Sequence, residues 1–280
     1  MMVDEARAPF ARPATSRFVL AVALVALCWI IGNAPNSGPD EPSHMITSAG
    51  IVRLQGGGEP NDGVTRIVEV PAMVGLPDPS CWAFVPDATP ACSEDVGSTT
   101  VVERATTSFN YPVWAMILPG LASYVPWPGG YDYLARALSA LIPVVLVGAA
   151  LAFVTPTRRL VGAAALLGVT PIAWFTFGTV NPSAVAIGGG LALLAGLLTV
   201  DRRPRADLLA VAGWVAVVLP RRDGPLWATV VVVAACALTA ARPSEMWARL
   251  CAPWRWAVPL AVLIAVARLL AITSTVSNEL

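Results

Sequence analysis

The only histidine of the chain, His44, lies three residues after a pair of adjacent carboxylates, in the run Pro39-Asp40-Glu41-Pro42-Ser43-His44. Adjacent carboxylates on an extended or capping segment point in different directions. One could take a proton while the other orients a substrate or a divalent cation, and His44 stands about one helical turn from Glu41. Zinc is a poor match, because a zinc site normally takes three or four protein ligands and no second histidine exists. The same residues also suit a helix start: Pro42 fits the first turn, and Asp40 and Glu41 fit the positive end of a helix dipole. The two readings are compatible, with Glu41 at the head of a helix and Asp40 free to act.

Arg136 is the second residue with chemical potential. An ionised side chain near the end of an apolar run either snorkels to the surface or forms an anion site, since the guanidinium fork matches phosphate. Arg221 and Arg222 could join such a site or belong to an ordinary basic loop.

The elements that position these groups follow from composition. The 280 residues are 56% hydrophobic and 13% charged, with a mean hydropathy of +0.67, which indicates an integral membrane protein. All 18 basic residues are Arg, so lysine catalysis and Schiff-base chemistry are excluded. Residues 33–135 hold eleven acids against three Arg, a net of −8, and the remainder therefore carries +8. Arg collects in cytoplasmic segments, so the acidic stretch belongs outside. No basic patch is interleaved with aromatics, which argues against nucleic-acid binding.

Residues 1–17, with Arg7, Arg12 and Arg17, read as a cytoplasmic tail, and 18–32 as a short first transmembrane helix. The rival for that run is a secretory signal peptide, with Gly32-Asn33-Ala34 as its cleavage site. Residues 33–133 form a large extracytoplasmic loop. Met45, Ala49 and Val52 recur at helical spacing, predicting a short amphipathic helix on the membrane surface that ends at Gly56-Gly57-Gly58. Cys81 and Cys92 are expected to close a disulfide loop in an oxidising compartment. Tyr111-Pro112-Val113-Trp114 opens an interfacial or re-entrant element.

Residues 134–273 form a multi-span bundle, with spans at 134–154, 160–178, 183–200, 207–220, 225–241 and 254–273, and 274–280 as a tail. Thr179-Val180-Asn181-Pro182 makes a tight outer turn, and Gly188-Gly189-Gly190 permits close helix approach. Arg158, Arg159, Arg202, Arg203 and Arg205 mark the cytoplasm. The short run 207–220 either crosses, leaving Arg221 and Arg222 outside, or dips and returns; crossing is favoured because Arg242, Arg249 and Arg255 then become cytoplasmic. The expected fold is an all-α, multi-pass cell-membrane protein of about seven transmembrane helices with a large loop after the first.

The run Gly38-Pro39-Asp40-Glu41-Pro42-Ser43-His44 resembles the P-D-E-x-x-H signature of an actinobacterial-type family of predicted membrane proteins of unknown function. The Cys81/Cys92 loop, Asn110-Tyr111-Pro112, Tyr133-Leu134-Ala135-Arg136 and Val180-Asn181-Pro182-Ser183 follow that family's order, from about residue 20 to residue 240. The family in turn is similar to GT-C glycosyltransferases, so the resemblance implies a GT-C-like N-terminal module and a polyprenyl-phosphate sugar as donor, with its tail in the bilayer. Asp40 would be general base on an acceptor hydroxyl, with Glu41 or His44 orienting the acceptor or a divalent cation. Arg136, with Arg221 or Arg222, would hold the departing phosphate, and Tyr111 and Asn181 would line the substrate site. Such enzymes carry more spans than this chain provides, so a fragment, a truncated product or an inactive relative is also expected. The competing reading is a non-catalytic membrane protein whose acidic loop binds a partner in envelope assembly. A transporter has less support, because only Arg268 lies deep in a span.

Overall fold

The protein is described by a computed structural model over residues 12–56, 58–75, 81, 85–88, 97–155, 168–203, 205–239 and 244–245. The first helix, α1 (Arg12–Gly32), contains the apolar run and buries Val22, Ala26 and Ile30 at i, i+4 and i+8 against α4 (Tyr131–Val154). Its other face leaves Leu20, Leu24, Leu27 and Ile31 46–63% exposed, which suits contact with lipid. Two helical stretches, Thr15–Gly32 and Pro128–Val154, are long and apolar enough to cross a membrane.

Between them the chain departs from the all-helical expectation. A three-stranded antiparallel sheet forms from β1 (Glu59–Pro60), β2 (Arg66–Pro71) and β3 (Val101–Thr106), with Val68 facing Arg104 and Val70 facing Val102. The β-branched runs Arg66-Ile67-Val68-Glu69-Val70 and Val101-Val102 favour a pleated, half-buried surface over a helix. Val68 and Val70 point into the core while Glu69 points out.

The helix that starts at the acidic motif, α2 (Glu41–Val52), also corrects its expectation. It is not a surface helix: nine of its twelve residues are buried, Met45 and Ala49 among them. It lies between β2, β3, the start of α4 and α3 (Val113–Leu121). The approach to α3 depends on Gly120, where a Cβ would stand 2.2 Å from the Ser48 carbonyl oxygen. α3 fills the place expected of an interfacial element, with Pro112 at its N-cap and Val113, Ile117 and Leu121 exposed at i, i+4 and i+8.

Beyond α4 come α5 (Pro171–Phe177), α6 (Ser183–Thr199), α7 (Ala206–Val218) and α8 (Gly224–Thr239). They fall on the apolar runs at 160–178, 183–200, 207–220 and 225–241, and each is shorter, at 7–17 residues, than the two long apolar stretches. The run 160–178 is interrupted: Thr170 is extended (ψ 162°) because the proline at 171 disfavours helical backbone before it. The run 254–273 lies outside the described residues, as do Cys92 and residues 82–84 and 89–91 of the expected disulfide loop. Cys28 and Cys236 are free thiols.

The triple glycine of α6 serves three neighbours. A Cβ at Gly188 would meet Pro143 of α4 at 2.9 Å, and one at Gly189 would meet Ala216 of α7 at 2.7 Å. At Gly190 a Cβ would meet, among the described residues, only Val231 of α8, at 4.0 Å. α6 and α7 pack nearly backbone to backbone, since a Cβ at Gly213 would sit 2.2 Å from the Leu193 nitrogen.

Candidate functional site

Glu41 and Arg136 meet in the interior, both side chains fully buried. Arg136 Nε donates to Glu41 Oε1 at 2.8 Å and Nη2 donates to Oε2 at 2.9 Å, a bidentate fork. The remaining guanidinium protons go to backbone carbonyls at the end of α1: Nη1 to Ile30 (3.3 Å) and Asn33 (2.8 Å), Nη2 to Ala34 (2.7 Å). The carboxylate is equally occupied, with Oε1 accepting from the Val180 amide at 2.9 Å and Oε2 from the Gly38 amide at 3.0 Å. A guanidinium has five donors and a carboxylate about four lone-pair sites, so both groups are saturated.

One ion pair thus ties together the exit of α1, the 33–40 turn, α2, α4 and the turn between α5 and α6. Arg136 has no free donor for a phosphate in this arrangement, and Glu41 no free lone pair for a cation or a proton. The expected divalent cation would find a single available carboxylate of the pair, Asp40, which is a weak set for a hard cation that takes six or more oxygens.

Asp40 is placed differently. It is exposed, stands at the N-cap of α2 with no side-chain capping bond, and holds φ 57°, ψ 12°. Left-handed backbone is uncommon for a side-chain-bearing residue, though Asp and Asn tolerate it best, and such strain concentrates at functional positions. Asn36, four residues earlier, is left-handed too (φ 55°). Its buried Nδ2 and Oδ1, the Ser37 Oγ and the His44 Nδ1 lack hydrogen-bond partners among the described residues. Unsatisfied buried polar atoms are rare in folded proteins, and here three residues within four positions of Asp40 in sequence carry them.

His44 is 1% exposed and meets the edge of Tyr111 with ring centroids 4.8 Å apart at 87°. Burial pushes its pKa down to about 4, against the opposing pull of Asp40 and Glu41, so the ring is neutral at pH 7. Hydroxyls fasten the helix behind it: Thr47 Oγ1 and Thr106 Oγ1 are 2.7 Å apart, and Thr106 Oγ1 donates to the Ser43 carbonyl at 2.9 Å.

Asn181 Oδ1 accepts from the Ser183 amide at 2.9 Å, turning the chain into α6. Ser183 Oγ in turn accepts from Arg221 Nη1 at 2.7 Å, while Arg221 Nε pairs with Asp223 Oδ1 at 2.9 Å. That hydrogen bond holds the Asp223 carboxyl below the usual carboxylate range. Arg222 is exposed. Arg221 therefore lies at the Val180 end of α6, the end that contacts Glu41. The structure brings Asp40, Glu41, His44, Tyr111, Arg136 and the Val180-Asn181 turn together, with Arg221 close by. Asn36, Ser37 and Asp223 were not among the expected site residues, and Ser183 entered only as part of the Val180-Asn181-Pro182-Ser183 run. An Asn-Ser turn just before the acidic pair was the available signal for the first two.

A protein family described as predicted membrane protein (DUF2142) matches residues 23–279, and the chain belongs to that family. No curated protein and no solved structure matches the chain.

Proposed function

We propose that this membrane protein is a GT-C-like glycosyltransferase, moving a sugar from a polyprenyl-phosphate donor to a cell-envelope acceptor on the extracytoplasmic face. The observation that carries the reading is the division of labour in the acidic pair. Glu41 is consumed by Arg136, while Asp40 is exposed, uncapped and held in left-handed backbone, within four residues in sequence of the unpartnered polar groups of Asn36, Ser37 and His44. Asp40 takes the proton of the acceptor hydroxyl as its oxygen bonds to the anomeric carbon. The phosphate leaves with the electron pair of the broken carbon–oxygen bond. Positioned proton transfer of this kind contributes about 10²–10⁴-fold. Arg221, with Arg222, offsets the charge on the leaving phosphate. Arg136 acts as a positioning residue, fixing the turn that carries Asp40, and neutral His44 with Tyr111 forms a wall.

The outer-face placement rests on the Arg-poor, acidic stretch 33–135 and on the Arg clusters at 158–159 and 202–205. The contact between Arg221 and Ser183 supports a crossing by the short α7, because it puts the α7–α8 turn at the same end as Glu41. Closure of a Cys81–Cys92 disulfide belongs to the same proposal, and thiol mapping would read it.

The test is glycan transfer in membranes by Asp40→Asn, which keeps the left-handed backbone acceptable. Transfer is expected to fall about 10²-fold or more; unchanged transfer would remove Asp40 as the base. The second reading, a non-catalytic partner-binding protein, is favoured by the mutual saturation of Glu41 and Arg136, which gives the motif a complete structural role. It predicts that Asp40→Asn leaves envelope glycans unaltered and that the 33–133 face captures a partner.

A further inference from the structure

A groove of about 480 Å³ opens between α6, the end of α7 and α8. That volume lies within the range of small-molecule sites, about 300–1,000 Å³. Ile187 and Leu191 of α6, Val217 of α7 and Val231 of α8 form apolar walls, and Gly190 leaves the floor open. From Ser183 at the mouth to Leu191 the groove follows eight residues of helix, about 12 Å. The mouth is polar and holds Ser183, Arg221, Asp223 and Trp227. Arg221 uses Nε and Nη1 on Asp223 and Ser183, and its Nη2 has no partner among the described residues. Trp227 is 54% exposed and its Nε1 donates to Asp223 Oδ2 at 2.9 Å. An amphipathic indole of this kind marks headgroup level in a membrane protein. The apolar part of the groove then runs inward at the depth of hydrocarbon.

We infer that this groove seats the first segment of the hydrocarbon chain of a lipid monophosphate, with the phosphate against Arg221 at the mouth. Charge complementarity selects the headgroup. The partial neutralisation of Arg221 by Asp223 leaves exposed Arg222 as the second positive group at that end. The position selects the role: Ser183 follows Val180 by three residues, so its Cα lies within about 11 Å of the residue bonded to Glu41. A phosphate at the mouth therefore sits at the end of α6 whose preceding turn bonds Glu41, the neighbour of Asp40. The inference rests on the donor class proposed above and adds where its chain and phosphate bind.

The experiment uses the full chain in detergent with farnesyl monophosphate as probe. Saturable binding is expected, with inorganic phosphate at the same concentration unable to displace it. Gly190→Leu places a side chain in the open floor and is expected to weaken binding at least tenfold. Gly190→Ala, whose Cβ meets Val231 only at 4.0 Å, retains binding and reports that the helix is intact. Arg221→Gln is expected to weaken binding about tenfold, the scale of a lost charge-assisted hydrogen bond. Undiminished binding by a folded Gly190→Leu protein would overturn the assignment. So would displacement by inorganic phosphate, or cross-linking of Gly190→Cys to a cysteine placed in 254–273, which would make the chain's own segment the occupant. Asp40→Asn separates the two proposals: it should bind the probe normally while losing transfer. Normal binding with normal transfer would sink the general-base role and leave the groove standing.

Discussion

Removing Glu41 should unfold the protein more readily than it damages any exposed chemistry. In Glu41→Ala the Arg136 guanidinium stays buried with its charge uncompensated, a change that costs about 3–5 kcal/mol. The Gly38 and Val180 amides also lose their acceptor, and each orphaned buried donor costs about 1–3 kcal/mol. These terms are not additive, so a loss of about 5 kcal/mol is expected, against total stabilities of about 5–15 kcal/mol for folded domains. At about 2–4 °C per kcal/mol for a chain of this size, the melting temperature should drop by roughly 10 °C or more. Thermal unfolding of the detergent-purified protein measures this. A double-mutant cycle with Arg136→Ala adds the sharper check, because the double variant buries no lone charge and should lose less than the sum of the single losses. A Glu41→Ala protein with unaltered melting temperature and abolished activity would refute the structural assignment and return Glu41 to the catalytic role.

His44 gives stability a pH dependence with a definite sign. Its folded pKa of about 4 lies below the ordinary 6.5, so the unfolded chain binds more protons between those values. Stability is fully present above pH 6.5 and falls as pH drops towards 4, by about 3 kcal/mol if fully expressed. His44→Gln should flatten urea or thermal unfolding curves across that window; an unchanged slope would show that another group is responsible. Among the glycines of the bundle, Gly213→Ala should destabilise by about 1–3 kcal/mol because its Cβ would stand 2.2 Å from the Leu193 nitrogen. Gly190→Ala should instead stabilise by up to about 1 kcal/mol, since a helical glycine is replaced with no clash. Equal melting temperatures for the two variants would contradict the α6–α7 packing.

Much of the helical layout was legible because apolar runs and Arg clusters are one-dimensional signals. The 134–154 and 183–200 runs became α4 and α6 with boundaries shifted by at most a few residues. The sheet was missed for a physical reason. β2 and β3 are six residues each, sit within a polar segment, and depend on each other and on α2 for burial, so neither has a strong pattern alone. The helix at the acidic motif was placed correctly and its environment misjudged. Met45, Ala49 and Val52 define one apolar stripe, but Thr47, Ser48 and Gly50 are buried too, accepted by Thr106, Met116 and the close approach of Val68. Small and hydroxylated residues carry little hydropathy, and sequence periodicity therefore understates how much of such a helix is covered.

The roles of the charged residues could not be read from spacing, because saturation is a three-dimensional property. Arg136 looked like a phosphate ligand since an arginine at the lip of a span has few other uses in sequence. Its actual partners lie 95 residues away at Glu41 and more than 100 away at Ile30, Asn33 and Ala34. An ion pair that collects five chain segments at one point is a device for fixing geometry, and what it fixes most directly is the turn ending at Asp40. Glu41 lies one residue beyond that turn and accepts from Gly38 two residues before Asp40, so the backbone on both sides of Asp40 is held. A capping Asp would ordinarily use its carboxylate on the helix amides and relax its backbone. Here the flanking bonds let Asp40 keep left-handed backbone with its carboxylate uncommitted. A fold that needed only a helix start would place a glycine or a capping serine at this position. Under the general-base role proposed for Asp40, that free carboxylate is the group the buried ion pair holds in place.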